Sequence, residues 1–284
     1  MKSAKIIKKV LKVFGYTLAV LCLLLLASYA AIRTETVQTC LTQRLAARFS
    51  EKLETTVSID RVYLAFFTTL RLEGFYVEDQ HGDTLLHAPL IEGAITDFAL
   101  DSNYVHLASL HLQRPTFYLQ HHRSDTALNL AFILQAFASE DTTSGTPPHL
   151  RCDALTLEQL HFRYTDHHDT LPEPGVNFSD LDVQHMDLVL RDVHWQEDTI
   201  QTFIEELSLE EHSGFVLNNL TTEVRLTPDK MDLAGLSIQT PFSQVRTDLL
   251  FQYDAFGDFS AFDERINMNY QVANARVHAR DLAY

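Results

Sequence analysis

The sequence predicts a mainly β protein: an N-terminal transmembrane helix, then a long curled antiparallel sheet with one apolar face, with two short helices. Three observations predict it. An uncharged run fills residues 13–32, a strand-like alternation recurs through the remainder, and only two later segments show helical spacing.

The elements follow in chain order. Lys2, Lys5, Lys8, Lys9 and Lys12 precede the uncharged run. Twenty residues at about 1.5 Å each give roughly 30 Å, enough to cross a bilayer core. The lysine excess places the N-terminus in the cytoplasm and exports the remainder. A cleaved signal peptide ending near Ala30 is the competing reading; the run is longer than a typical signal core, which favours an uncleaved anchor over residues 1–33. Next, Val37, Leu41, Leu45, Phe49 and Leu53 recur near every fourth position. That spacing predicts an amphipathic helix over 37–53, capping the first strands.

From Val57 onward the pattern is apolar, polar, apolar, two spacers, apolar, polar, apolar. It reads Val57-x-Ile59-x-x-Val62-x-Leu64, then Leu70/Leu72/Phe75/Val77 and Val105/Leu107/Leu110/Leu112. It returns at Leu155/Leu157/Leu160/Phe162, Val176/Phe178/Leu181/Val183, Leu188/Leu190/Val193/Trp195 and Met231/Leu233/Leu236/Ile238. Alternation with period two means a strand with one buried face. The two-residue skip changes the parity of the apolar set, and a β-bulge there keeps that set on one face.

Between the strands, the DQHGD run at 79–83 predicts a hairpin turn with Gly82 at the positive φ. Residues 129–138 are apolar nearly all round, which predicts a buried helix plugging the end of the sheet. The EDTTSGTPP run at 140–148 is a polar loop, and turns are expected at 171–175 and 227–230. This divides the chain into 1–33, 34–138, 139–150 and 151–284. Residues 267–279 alternate like a strand, and the chain then stops beside an unfinished sheet edge, so a longer polypeptide is expected. Leucine-rich repeats fail because the intervals are irregular and no asparagine ladder exists.

Charge narrows the function. Residues 34–284 hold all 38 Asp and Glu against 16 Lys and Arg, a net of −22. Such a surface repels nucleic acid and anionic headgroups, so nucleic-acid binding is excluded. Cys22 falls in the predicted span, and Cys40 and Cys152 are too few to establish a disulfide framework.

The order of anchor, amphipathic helix, VSIDRVYLAFFTTLRLEGFYVEDQHGDTLL at 57–86 and then NLAFILQAFAS at 129–139 resembles the N-terminal region of AsmA-like, TamB-like translocation and assembly module proteins. The resemblance implies a β-taco: a curled sheet anchored in the inner membrane of a Gram-negative envelope, its apolar groove in the periplasm. It further implies phospholipid acyl chains as cargo and a role in outer-membrane biogenesis. An outer-membrane barrel protein is the implied partner of a C-terminal part that this sequence lacks. The candidate lining is Ile59, Val62, Leu64, Leu72, Phe75, Val77, Leu107, Leu110, Leu157, Leu160, Phe162, Leu190, Val193, Leu236 and Ile238.

Catalytic chemistry finds little support. No GxSxG, Walker, HExxH or CxxC motif occurs, and the carboxylates are spread over strand positions. His121-His122 and the His161, Asp166-His167-His168-Asp169 group have ligand chemistry, but neighbouring side chains on an extended chain point apart. We therefore expect no metal, no cofactor and no enzyme. The leading expectation is a lipid-shielding groove open to solvent; the alternative is an assembly scaffold with a filled core and no lipid cargo. A metal-dependent periplasmic hydrolase built on the histidine group ranks third.

Overall fold

The computed structural model describes residues 35–65, 68–99, 104–125, 127–138, 149–168, 176–254, 258 and 265–282. The predicted anchor at 1–33, the 140–148 loop and the 171–175 turn lie outside them. No described helix is long and apolar enough to cross a membrane.

Helix α1 (Glu35–Leu53) is followed by strands β1 (Val57–Ser58), β2 (Arg61–Ala65), β3 (Thr69–Glu78), β4 (Thr84–Ala99), β5 (Tyr104–Gln113) and β6 (Thr116–His121). Helix α2 (Ala131–Ala138) then leads to β7 (His149–Asp166), β8 (Asp180–Gln196) and β9 (Thr199–Glu211). The chain continues through β10 (Val216–Leu217), β11 (Asn219–Thr227), β12 (Lys230–Gln239), β13 (Gln244–Gln252) and β14 (Asn267–Arg276). All fourteen strands belong to one sheet, in the order β1-β3-β4-β5-β7-β8-β9-β11-β12-β13-β14. Strand β2 pairs with β3, β10 with β9, and β6 with both β4 and β7.

The sheet is mixed, which corrects the expected antiparallel one. Strand β7 runs parallel to β5 and β6, while every other pairing is antiparallel. The cause lies in the connection: β6 ends at His121 and β7 begins at His149, a separation long enough to return the chain to the start of the same sheet edge. β5 and β6 act as one strand broken at Arg114, whose φ is +46°, and the fully buried Pro115. The break is sealed by Arg114 N–H donating to the Glu158 carbonyl (2.7 Å) and His161 N–H to the Pro115 carbonyl (2.9 Å).

The skip in the sequence pattern is a physical kink. Its second residue takes a left-handed backbone at Gly74 (φ +64°), Gln159 (+53°), Asp192 (+49°) and Gly235 (+61°), four of the seven copies. Pairing registers shift beside three of them, between Leu157 and Leu160, Arg191 and His194, and Leu233 and Leu236. A neighbouring strand's aspartate satisfies the N–H that such a kink exposes. Asp187 Oδ1 accepts from Gln159 N–H (2.8 Å) and Asp248 Oδ1 from Gly235 N–H (2.7 Å). At Gly74 the Asp60 side chain fills the space where a Cβ would stand, 2.1 Å from Oδ2. Pro89, which cannot donate to a ladder, sits in β4 between the Glu73/Leu90 and Phe75/Ala88 pairs, in the gap opposite Gly74.

The helices cover one end of this sheet. Leu53, Val57, Val77 and Leu85 form the buried cluster, with Phe75, Leu86 and Phe117 beneath and Leu130, Phe132, Ile133 and Ala136 above. α1 touches β1 and β2, and α2 closes the cluster as the all-round apolar spacing requires. The turn at 79–83 is present, with Gly82 at φ +84°.

Candidate functional site

Paired residues on neighbouring strands share a face, so the registers trace apolar rungs across the sheet. One rung runs Val62, Leu72, Ile91, Leu112, Leu157, Leu188 and Leu207 through seven strands without a polar member. A second holds Leu70, Gly93, Leu110, Leu155, Leu190 and Ile204. A third crosses from β5 to the last strand as Val105, Leu150, Trp195, Ile200, Leu226, Met231, Phe251 and Met268.

The opposite face is charged and internally paired. His106 and Arg151 both reach Asp153 (2.9 and 3.1 Å), His111 meets Glu158 (3.2 Å), and Arg71 bridges Glu73 and Glu92. Burial raises the Asp153 carboxyl, but the stronger hydrogen bond from His106, with that of Arg151, holds it below the ordinary carboxylate range.

The apolar face is uncovered over most of its width. Among the described residues no helix and no second strand layer packs across β8 to β14. Val62 (1%), Leu236 (4%) and Leu160 (7%) are buried, but most of its residues are half-buried, and exposure climbs to 66% at Tyr270 on β14. Eleven strands in sequence at about 4.8 Å spacing extend roughly 48 Å.

The fifteen expected lining residues divide between two environments. Val62, Leu72 and Leu157 share the first rung, Leu110 and Leu190 the second. Leu107 and Val193 flank the buried Cys152, while Leu160 lies opposite Met186. Leu236 pairs with Thr247, and Ile238 stands between Leu220 and Val245. Val77 and Phe75 lie under the helices in the closed core, and Phe162 follows Phe117 out of it. Ile59 is buried between β1 and β2, and the Leu64 side chain lies outside the described residues. Ile91, Ile204, Leu207 and Leu249 are further members of the face. Their strands, β4, β9 and β13, do not repeat the eight-residue pattern, so spacing alone passed over them.

His81, His121, His122, His167 and His168 gather at one end of the sheet. The parallel pairing of β6 with β7 sets His121 directly opposite Asp166, and the 79–83 turn lies beside them. Asp79 is a saturated hub there: Oδ1 accepts the N–H groups of His81 (2.8 Å) and Asp83 (2.9 Å), Oδ2 the Asn129 amide (2.9 Å) and His122 Nε2 (3.3 Å). Burial pushes this carboxyl upward, yet the combined hydrogen bonds hold it below its ordinary value. Asp166 is less completely served. Its Oδ1 accepts the His168 N–H (2.9 Å) and faces Nδ1 of His168 (3.1 Å) and of His121 (3.4 Å). Cys152 is a free, buried thiol whose pKa burial raises, so it is a poor nucleophile.

No family model and no curated protein matches this chain.

Proposed function

We propose that the protein is a non-enzymatic, membrane-anchored β-groove of a Gram-negative envelope. It shields phospholipid acyl chains between the inner and outer membranes. The observation that carries this reading is the uncovered run of apolar rungs from β5 to β14. An apolar strip of this extent is an aggregation hazard unless something apolar lies in it. Repeated kinks at the pattern's skips curl the sheet about that face while keeping its residues on one side. The eight strands of that run, at about 4.8 Å spacing, extend roughly 34 Å, on the scale of the ~30 Å core of a bilayer and enough for an extended acyl chain. Each methylene sheltered there contributes about 0.8 kcal/mol. The sequence resemblance to AsmA-like, TamB-like proteins supports the same reading, as does the lysine-flanked run at 13–32.

A photo-crosslinking amino acid placed in the full chain tests it. At Leu190 on the apolar face we expect phospholipid adducts in cells; at neighbouring Arg191, on the charged face, none. Adducts at neither position, or equally at both, overturn the proposal.

One observation favours the assembly scaffold as a second reading. Every residue of β14 is exposed, and β14 pairs only with β13 among the described strands. Such an edge accepts an added strand. Protein adducts from a crosslinker at Tyr270, without lipid at Leu190, would favour it.

A further inference from the structure

We propose that His121, Asp166 and His168 form a binding site for a divalent transition metal of the zinc type at the end of the parallel β6/β7 seam. One ligand atom from each lies within 4.8 Å of the other two. The two contacts to Asp166 Oδ1 are 3.1 Å from His168 Nδ1 and 3.4 Å from His121 Nδ1. A tetrahedral shell with bonds of about 2.0–2.1 Å has ligand-to-ligand edges near 3.3 Å. The two edges to Asp166 already stand at that spacing and the third, between the histidines, is within 4.8 Å, and imidazole with carboxylate is a donor set that suits zinc.

Hydrogen bonding alone leaves the group unsatisfied. The Nε2 atom of His121 is buried without a partner. In the neutral ring, a proton on Nε2 is orphaned and leaves the Nδ1 lone pair facing a carboxylate oxygen. A proton on Nδ1 makes only a long contact to Asp166. A cation bound at Nδ1 resolves the first arrangement's lone-pair conflict while the ring proton stays on the buried Nε2.

The backbone holds the ligands before any metal arrives. His167 N–H donates to the His121 carbonyl (3.0 Å), Asp166 N–H to the Ser179 carbonyl (2.7 Å), and the His168 N–H closes the turn on Asp166. Entry is open, because the His168 side chain is 44% exposed. The neighbouring trio Asp79, Asp83 and His122 has similar spacing and is not chosen. Asp79 already accepts four hydrogen bonds and has nothing left to offer a cation. His167 stays out of the site, since its Nε2 reaches Gln120 (3.0 Å).

Bound there, the metal clamps β6 to β7, the seam at which the sheet changes from antiparallel to parallel. The proposal goes beyond the groove and does not depend on it. Its test is zinc titration of the full chain in detergent, followed by calorimetry and thermal melting. We expect one tight equivalent and a raised melting temperature. His168→Ala, at an exposed position, should keep the fold by circular dichroism and weaken that equivalent at least about 10-fold. His121→Ala should do the same, whereas His111→Ala, on the charged face, should leave it unchanged. No tight equivalent in the wild type, or equal affinity in folded His168→Ala, overturns the assignment.

Discussion

The two ends of this sheet share apolar–polar alternation, yet they have different fates. Near β1, β3 and β4 the apolar face lies under two helices, with Leu85 at 0% and Val77 at 3% exposure. Toward β14 the same face is bare, and Val272 and Met268 are 50% and 43% exposed. The alternation specifies which side chains share a face; it does not specify what covers them. Covering comes from separate segments, and only α1 and α2 supply it among the described residues. The closed end is a core in the ordinary sense, and the open end is a surface with the composition of a core.

A buried charge separates the two most sharply. Leu85→Asp places a carboxylate where water and partners are absent, and should cost about 4 kcal/mol or more, enough to unfold the helix-covered end. Leu190→Asp, on the half-buried rung, leaves the carboxylate within reach of water and should cost about 1–2 kcal/mol. Urea unfolding of both variants reads the difference. Equal losses would mean that the open face is sealed after all.

Much of this contrast was legible before the fold was known, because local signals carried it. The skip positions predicted bulges, and Gly74, Gln159, Asp192 and Gly235 supply the left-handed residues. The all-round apolar spacing of 129–138 predicted a buried helix; the helix spans Ala131–Ala138 and packs Phe132 and Ile133 on the buried cluster, where they stay partly exposed. What local spacing could not carry was pairing at long range. Nothing between His121 and Asp166 marks them as neighbours, since they meet only through the parallel crossover. The same crossover made the sheet mixed. β4 was hard to read because Pro89 and the adjacent Leu85 and Leu86 break strict alternation. There Leu85 is a residue extra to the ladder, between the Val77/Leu86 and Glu78/Thr84 pairs.

The two glycine kinks offer a finer version of the comparison. Both have positive φ, so alanine at either is strained by about 1 kcal/mol. At Gly235 a new Cβ meets open space, and the strain is the whole effect. At Gly74 it would stand 2.1 Å from Asp60 Oδ2, 2.4 Å from Cγ and 2.9 Å from Cβ, so the whole side chain must leave. Gly74→Ala should therefore cost about 2–3 kcal/mol, against about 1 for Gly235→Ala. Adding Asp60→Ala should recover part of the first loss and none of the second, read as a double-mutant cycle. Matching costs at the two sites would mean that Asp60 moves freely and gives the covered end no extra rigidity.

The smallest effect is acid–base, and at the covered end it turns on Asp79 and His81. The Asp79 carboxyl is held below its ordinary pKa in the folded protein, so its contribution is present above the usual carboxylate range, about pH 3.9, and disappears as pH falls through the folded value. His81, on the same turn, is shifted the other way: its hydrogen bond to the Asp125 carboxylate (2.8 Å) raises its pKa against a smaller opposing effect of burial. Its contribution is complete below the unfolded value near pH 6.5 and is lost as pH rises through the folded one. Protection of the Val77 and Leu86 amides, corrected for intrinsic exchange, should peak between about pH 4 and 6.5. The Val224 and Leu249 amides of β11 and β13 should follow a flatter course. Asp125→Asn removes the partner that raises His81 while leaving the Asp79 hub intact. It should abolish the alkaline decline and keep the acid one, and a variant that loses both limbs would tie the two groups into a single unit.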